Sequence, residues 1–260
     1  GATGFVGSHI ARSCCDDEET RLRILVRPTS DLDRLPQCVL DRVDRPGVEL
    51  VEGDITDPDS LEGFLADVDT LVHAACAVKG TFEESGDAAA IFDRVNVEGS
   101  RNVGRLAADH DVRMVHISST AAMGPATAEH VDESTPCRPQ APYQKSKRGA
   151  ELALLELHAE SNLDVVIVRP CLIMGPGKIG GEPLELFRLV ERGIFPRIGG
   201  ELPQTKPLID VRDVVHAVEL SAERGKSGEI YLIHSDGDHR LDDILEVVRR
   251  LLGAQRTGIP

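Results

Sequence analysis

The 260-residue sequence has no tryptophan, two tyrosines, and no uninterrupted apolar run longer than five residues. Because a membrane-spanning helix needs about 20 consecutive apolar residues, the sequence predicts neither a membrane segment nor a membrane partner. Basic residues are also in short supply: 29 lysines and arginines stand against 44 acidic residues, which gives a net charge of −15. That charge repels phosphate backbones and argues against a nucleic-acid-binding protein.

Signals for disulfides and secretion are missing as well. The six cysteines are scattered, with no Cys-x-x-Cys pair, and no signal peptide opens the sequence. A disulfide framework is therefore not expected, and the predicted location is the reducing cytoplasm. The sequence starts with Gly1 in a glycine-rich turn of the kind that follows a buried strand, and it stops shortly after a helical pattern. We therefore expect a piece of a longer chain, truncated at both ends and lacking at least its first strand.

Strand-like and helix-like segments alternate along the chain. Short apolar segments predict strands at residues 22–26, 48–52, 70–73, 114–118, 165–168 and 229–233. Helix-like patterns fall at residues 8–15, 92–108, 143–158, 211–223 and 241–252. This alternation, with nearly continuous apolar strands, is typical of a parallel sheet covered by helices on both faces. The predicted fold class is α/β, with a doubly wound parallel sheet.

Glycines recur at every third position in Gly1-Ala2-Thr3-Gly4-Phe5-Val6-Gly7, directly before the first helical segment. Glycine permits positive φ in a tight turn and lets backbone N–H groups approach a pyrophosphate closely. The N-terminus of the following helix adds partial positive charge. A purely structural turn is the alternative for such a pattern taken alone.

Three further segments, each directly after a predicted strand, favour a nucleotide site. Arg27 comes where the ribose of an adenosine would lie. Gly53-Asp54-Ile55 offers a carboxylate and an apolar wall near an adenine, and the small residues of His73-Ala74-Ala75 let the backbone pass close to a cofactor. Together with the glycine loop, these segments predict dinucleotide binding.

Tyr143 and Lys147 are the leading catalytic candidates. They are four residues apart at the start of a predicted helix, so they share one helical face. A free tyrosine has a pKa near 10, but a nearby ammonium group favours the phenolate and lowers that pKa. Tyr143 could then exchange a proton while a hydride moves. For an isolated pair of this kind, a surface helix with a solvated lysine is the alternative.

Hydroxyl side chains follow the predicted strand at residues 114–118, at the sheet edge where doubly wound folds bind ligands. One hydroxyl of Ser118-Ser119-Thr120 could hydrogen-bond the reacting oxygen beside Tyr143, whereas Ser118 and Thr120 themselves are expected to cap the next turn. No nucleophile elbow and no metal-ligand spacing is found, so no metal is predicted.

With these motifs, the sequence resembles the extended short-chain dehydrogenases/reductases, often called the NAD-dependent epimerase/dehydratase family. The resemblance extends over nearly the whole chain, and the order and separation of the motifs match. The segments that carry it are residues 1–7, 53–55, 73–75, 96–103, 118–119, 143–147, 169–170 and 174–177.

The resemblance implies a Rossmann-type nucleotide-binding domain at residues 1–170, which residues 208–235 rejoin. An incomplete substrate-binding region would comprise residues 171–207 and 236–260, with substrate contacts from residues 174–183 and 198–207.

The same resemblance implies a catalytic set of Ser119, Tyr143 and Lys147, with Asn96 bracing the strand backbone near the site. The implied cofactor-binding residues are Gly1, Gly4, Phe5, Val6, Gly7, Arg27, Asp54, Ile55, His73, Ala74, Ala75, Tyr143, Lys147, Pro170 and Ile173.

Departures from the family's patterns bear on the reaction. Ser119-Thr120-Ala121 replaces the Thr-Asp-Glu run of the sugar-nucleotide 4,6-dehydratases, so dehydration by that route is not expected. Met123 and Lys206 stand where sugar-nucleotide epimerases usually carry Tyr and Arg. The primary expectation is an NAD(P)-dependent oxidoreductase of the hydroxysteroid dehydrogenase or dihydroflavonol reductase kind, which transfers a hydride to or from a ketone or secondary alcohol. A nucleotide-sugar epimerase is the alternative, followed by a non-catalytic NADP-binding regulator.

Arg27 also bears on the choice of cofactor. Sites that prefer NAD typically carry an acidic residue at the end of the second strand. Here Val26 takes that place and Arg27 follows, and a guanidinium group can pair with a 2′-phosphate. We predict NADP, with NAD as the alternative.

The predicted partners are a small-molecule substrate and a second copy of the chain. The family's usual homodimer would pack the helices at residues 92–108 and 143–158 against their symmetry mates. Leu152, Leu155 and Ala159 could supply an apolar stripe for that contact.

Overall fold

The computed structural model of the chain describes residues 1–17, 19–43, 47–78, 87–125, 130–178, 182–193, 207–237 and 240–253. Within these ranges the strands are β1 (Leu22–Val26), β2 (Val48–Glu52), β3 (Thr70–His73), β4 (Arg113–Ile117), β5 (Val165–Pro170), β6 (Leu172–Met174), β7 (Leu208–Asp210) and β8 (Ile230–Ile233). The α-helices are α1 (Phe5–Asp16), α2 (Gln37–Leu40), α3 (Ala88–Phe92), α4 (Gly99–Asp109), α5 (Pro142–Ser161), α6 (Glu182–Glu191), α7 (Val211–Arg224) and α8 (Leu241–Leu252). Short 3₁₀ helices span Leu32–Arg34, Pro58–Leu61 and Thr120–Met123, and a π-helix spans Asp93–Glu98.

Every strand pair in the described residues is parallel. A four-stranded sheet has the order β3-β4-β5-β8, while β1 pairs with β2 and β6 pairs with β7. Helices α4 and α5 contact one face of the four-stranded sheet, and α7 contacts the other face together with α1. The α/β fold with a doubly wound parallel sheet is therefore confirmed.

Successive side chains of β4 and β5 point alternately to the two faces of the sheet, and a hydrophobic cluster lies on each face. Met114 and Ile167 pack in the cluster beneath α4 and α5, whereas Val115 and Val168 pack with Val218 of α7. Since successive strand residues point to opposite faces, strands buried on both sides must be apolar throughout. This requirement is what made the strands visible in the sequence.

Two predicted segments differ from the structure. The helix predicted at residues 92–108 is divided into α3, the π-helix and α4, because one turn is widened around Asn96. The segment between Pro170 and residue 211, for which no strand or helix is predicted, contains the three-residue strands β6 and β7 and helix α6. A strand this short leaves no usable period in a sequence. The division into a nucleotide-binding domain and a substrate region stays a prediction.

None of the helices in the described ranges combines the length and the apolar character needed to cross a bilayer.

Candidate active site

A cleft of about 1240 Å³ opens at the carboxyl ends of the parallel strands. Its wall is built from the residues that follow β1, β2, β3 and β4 and from the end of β5. This is where open α/β sheets bind their ligands. The sequence-predicted residues that line it are Gly1, Gly4, Phe5, Val6, Gly7, Arg27, Asp54, Ile55, Ala74, Ala75, Ser119, Tyr143, Lys147, Pro170 and Ile173.

The glycine loop is packed too tightly for side chains. A Cβ on Gly7 would lie 2.2 Å from the carbonyl oxygen of Gly1, and a Cβ on Gly1 would lie 2.3 Å from the carbonyl carbon of Ala74. The expected positive φ is not found, because Gly4 has a φ of −84° and Gly7 lies in α1. Close backbone contact, and not a left-handed turn, is therefore what requires glycine here.

The loop leads directly into α1, which begins at Phe5. The first N–H groups of a helix have no acceptor within the helix and attract anions. Those of Phe5, Val6 and Gly7 belong to residues on the cleft wall. The loop therefore fits the pyrophosphate of a dinucleotide.

One end of the cleft follows β1 and β2 and carries two arginines. Arg27 and Arg34 are both exposed, and neither has a carboxylate partner among the residues described. Ser30 shapes the turn between them, because its N–H donates to the carbonyl of Arg27 at 2.8 Å and its Oγ accepts from the N–H of Arg27 at 3.0 Å. Asp54 holds its own loop, accepting hydrogen bonds from the N–H and Oγ1 of Thr56.

His73 is the predicted cofactor-binding residue that the structure does not place on the cleft wall. Its side chain is buried, with Nε2 3.0 Å from Ser100 Oγ and its ring stacked on that of His116. Burial, with the nearby charge of Lys147, lowers the pKa of His73 well below its usual value. Strand alternation turns His73 toward α4 and leaves the next residue, Ala74, to face the cleft, so a direct cofactor contact by His73 stays a prediction.

Lys147 lies at the other end of the cleft, where β4 and α5 meet. Its side chain is 3% exposed, and its Nζ donates a hydrogen bond to the carbonyl oxygen of Ile117 at 2.8 Å. Ile117 is the last residue of β4, next to Ser118 and Ser119. One hydrogen bond therefore ties the lysine to the strand that carries the hydroxyls.

Tyr143 lies one helical turn before Lys147 and packs edge-on against Phe92, with ring centres 5.7 Å apart. Burial raises the pKa of Tyr143 above its ordinary value, and repulsion by the ionised form of Cys76 and a side-chain hydrogen bond with Cys76 raise it further. The expected lowering by Lys147 is not found, because the lysine is directed at the Ile117 carbonyl. Tyr143 is therefore a phenol in this structure.

The hydroxyl side chains that follow β4 make different hydrogen bonds from those expected. Ser119 is the N-cap of the 3₁₀ helix Thr120–Met123, where its Oγ accepts from the N–H of Ala121 at 3.1 Å. Ser118, expected to cap this turn, instead donates to Glu151 Oε1 at 2.5 Å. The capping prediction for Ser118 and Thr120 is therefore wrong, since the residue that caps the turn is Ser119, which lies between them.

A buried ion pair lies directly behind these residues. Glu151 on α5 is fully buried and accepts two hydrogen bonds from Arg169 of β5, from Nε at 2.8 Å and from Nη2 at 2.7 Å. It also accepts from Arg148 at 2.9 Å. Glu151 thus joins α5, the end of β4 and the end of β5, the three elements on which Tyr143, Ser119 and Pro170 lie.

Asn96, in the π-helix, holds the loop after β3. Its Oδ1 accepts from the N–H of Ala77 at 2.7 Å, and its Nδ2 donates to the Ala77 carbonyl at 3.1 Å and to Ser146 Oγ at 2.9 Å. The π-helix rotates Asn96 into this position. Asn96 therefore braces the loop that carries Cys76 to the cleft, a few residues beyond the strand it was expected to brace.

Residues 1–233 match the group described as the NAD dependent epimerase/dehydratase family. The chain belongs to this family. Its fold and its standing as an NAD(P)-dependent enzyme of the short-chain dehydrogenase/reductase type are thereby confirmed.

Individual relatives differ in the chemistry that their names describe. Sterol demethylase protein B of Methylococcus capsulatus is 32% identical over 262 residues, covering 98% of this chain and 74% of that protein. The UDP-glucose 4-epimerase of Vibrio cholerae is 26% identical over 240 residues, covering 91% and 69%. The crystal structure of DesIV, a dTDP-glucose 4,6-dehydratase from Streptomyces venezuelae with NAD and TYD bound, is 27% identical with a TM-score of 0.82, covering 100% and 82%.

Several residues on the cleft wall of this family member were not predicted from the sequence. Cys76, Arg34 and Arg94 all line the cleft. None belongs to a motif, and only the position of Cys76 shortly after β3 could have marked one of them. Of the predicted substrate segments, Lys178 and Pro207 line the cleft, whereas residues 179–181 and 194–206, including Lys206, lie outside the described residues.

Proposed function

We propose that the chain catalyses reversible hydride transfer at a carbinol carbon of its substrate, with Tyr143 as the acid/base. The observation that supports this most is the cleft itself, whose lining includes Ser119, Tyr143 and Lys147 as well as the glycine loop. NAD(P), when bound there, supplies the hydride acceptor and donor. The residues that would hold it are the glycine loop, Lys147 and the end of β5.

Tyr143 has the properties of a proton donor in the reducing direction. Burial keeps it protonated, so it can deliver a proton to a carbonyl oxygen while Ser119 donates a hydrogen bond to the same oxygen. In the oxidising direction the tyrosine must take the proton back as a phenolate. This step requires Lys147 to turn from the Ile117 carbonyl toward Tyr143, because an ammonium group favours the phenolate only at close range. Positioned acid–base catalysis of this kind contributes about 10²–10⁴-fold to the rate.

A nucleotide sugar undergoing epimerisation is the substrate that the comparisons favour over the ketone that was our primary expectation. The named relatives include a UDP-glucose 4-epimerase and a dTDP-glucose 4,6-dehydratase. Dehydration is disfavoured, because Asp54 is the single carboxylate among the described residues of the cleft wall. Asp54 lies in the loop after β2. The two positions directly after Ser119 are occupied by Thr120 and Ala121, which are not acidic.

An NADP-dependent ketone reductase is the second candidate, and Arg27 and Arg34 favour it. Two arginines without carboxylate partners in the described structure suit the 2′-phosphate of NADP. The relative that is 32% identical is also named for sterol chemistry and not for nucleotide sugars. We keep NADP as the proposed cofactor, although the structural neighbours named with a bound dinucleotide hold NAD.

The remaining proposals concern assembly and location. Leu152 is 51% exposed on α5, and Ala159 is exposed on the same helix, which supports a homodimer through this helix. All six cysteines are free, which supports a reducing cytoplasmic compartment.

The test compares wild type with Tyr143→Phe, using Tyr231→Phe as the matched control. Epimerase activity is followed by separating the epimers of UDP- and dTDP-sugars, and reductase activity by NADPH consumption with a panel of ketones. Tyr143→Phe should lose about 100-fold or more of the turnover while still binding cofactor. Near-normal turnover in Tyr143→Phe would refute the mechanism. Tight cofactor binding without turnover of any substrate in wild type would instead favour a regulator.

A further inference from the structure

Lys178 lies on the loop after β6, beside the start of α1. Its ammonium group is 4.9 Å from the centre of the Phe5 ring, and Phe5 is the first residue of α1. The loop is fixed to this helix, because His9 Nε2 lies 2.9 Å from the carbonyl oxygen of Pro176. At Gly175, φ is +151° and a Cβ would lie 2.6 Å from Val211, so the loop needs glycine to pass this closely. Packing therefore places Lys178 next to the glycine loop.

The charge of Lys178 is not compensated by any carboxylate in the described residues. Its side chain is half-buried, and this burial lowers its pKa. A partly buried ammonium group normally needs an anionic partner. The nearest structural feature, the N-terminus of α1, is itself positive. Two positive groups on one stretch of the cleft wall point to an anion as the ligand between them.

The rest of the cleft wall has the same charge imbalance in a chain whose net charge is −15. Its described residues include five cationic side chains and one carboxylate, which are Arg27, Arg34, Arg94, Lys147 and Lys178 against Asp54. Such a concentration of positive charge in an acidic protein is suited to a ligand with several negative charges.

We propose that Lys178 binds the pyrophosphate of the dinucleotide, completing the phosphate site that the glycine loop and α1 begin. The proposal rests on the cofactor site of the proposed function, and it adds a contact from a loop more than 160 residues further along the chain. The aliphatic part of the side chain would lie on the Phe5 ring while the ammonium group donates to a phosphate oxygen.

The experiment measures the affinities of wild type, Lys178→Met and Lys178→Arg for NAD, NADP, AMP and UDP by calorimetry. Met keeps the apolar contact with Phe5 and removes the charge, and Arg restores the charge. Lys226→Met is the matched control, since Lys226 is exposed and pairs with Glu229 away from the cleft wall. Thermal unfolding of each variant verifies that the fold is kept.

Lys178→Met should bind NAD and NADP about ten- to a hundredfold more weakly, by the same factor for both. AMP should lose less, because it lacks the pyrophosphate bridge, and Lys178→Arg should recover most of the affinity. An unchanged affinity of Lys178→Met for both dinucleotides would overturn this inference alone. A loss confined to UDP would also overturn it, because it would assign Lys178 to a nucleotide substrate. A wild type that binds neither dinucleotide would overturn the proposed function as well.

Discussion

The two ends of the cleft handle charge in opposite ways. At the end formed by β4, β5 and α5, Lys147, Glu151 and Arg169 are each at most 3% exposed, and each makes hydrogen bonds. At the end formed by the residues after β1, Arg27 and Arg34 are exposed and have no carboxylate partner in the described structure.

This difference indicates that the buried charges position the catalytic candidates, whereas the exposed charges are available to bind the cofactor. Buried charges are costly to leave unpaired, so their network fixes the elements that carry Tyr143 and Ser119 in one arrangement. Exposed arginines contribute little to folding, so substituting them can change the cofactor preference at a small cost in stability. We therefore expect substitutions at the first end to affect stability and those at the second end to affect binding.

The largest expected effect is that of Glu151→Gln, which leaves the buried guanidinium of Arg169 without its counterion. Breaking a buried pair in this way costs about 3–5 kcal/mol of unfolding free energy. The control is Glu156→Gln on the same helix, whose carboxylate pairs with Arg101 at 2.6 Å but is half-exposed. Such a surface pair is worth about 0–1 kcal/mol. Urea unfolding measures both, and equal losses would show that burial does not distinguish the two pairs.

The effect of Glu151 should also depend on pH. Burial alone would raise the pKa of Glu151, but the hydrogen bonds and charge of Arg169 outweigh it and hold that pKa below its usual value. A lowered pKa in the folded state means that the carboxylate stabilises the fold above the unfolded pKa of about 4.3. The stability difference between wild type and Glu151→Gln should therefore be constant above that pH. It should shrink as the pH falls through the folded pKa. A difference that grows on acidification would contradict the assigned direction.

The next effect belongs to the exposed end and concerns binding. Arg27→Ala should weaken NADP binding by about tenfold or more, because a charged hydrogen bond to the 2′-phosphate is worth about 1.5–3 kcal/mol. NAD, which lacks that phosphate, should bind almost as before. Arg34→Ala should show the same pattern, and Arg105→Ala, an exposed arginine of α4 away from the cleft wall, is the control for net charge. Equal losses for both cofactors, or a wild type that prefers NAD, would show that these arginines do not recognise the 2′-phosphate.

The sequence predicted the fold well where burial controls residue type. Strands β1, β2 and β3 have the predicted bounds, since each is a short apolar segment next to polar turns. Strand β6 and the π-helix were missed. Three residues are too few to show a period, and the widened turn depends on hydrogen bonds from Asn96 to distant backbone.

The site was predictable to the extent that it follows strand ends. The spacing of Tyr143 and Lys147 on a predicted helix marked these two residues, and the family resemblance singled out Ser119. All three line the cleft. The environment of Tyr143 was not predictable. Its pKa depends on burial and on Cys76, which lies 67 residues earlier in the chain and has no motif of its own.

The smallest expected effect concerns this last contact. Burial and, to a smaller extent, Cys76 raise the pKa of Tyr143. Cys76→Ala should therefore lower this pKa but leave it above the value of about 10 for free tyrosine. The chain is suited to the measurement, since it has no tryptophan and two tyrosines, so tyrosinate absorbance in alkali reports on two groups. Tyr143→Phe identifies which signal belongs to Tyr143, and Cys14→Ala, on α1 and outside the cleft wall, is the matched thiol control. In wild type, Tyr143 should still absorb as the phenol at a pH where free tyrosine is ionised. In Cys76→Ala, a larger fraction of Tyr143 should be ionised at that same pH. If Cys76→Ala leaves the ionisation of Tyr143 unchanged, burial is the sole cause of its raised pKa. If ionisation is already complete near pH 10 in wild type, water reaches this end of the cleft more than its packing indicates.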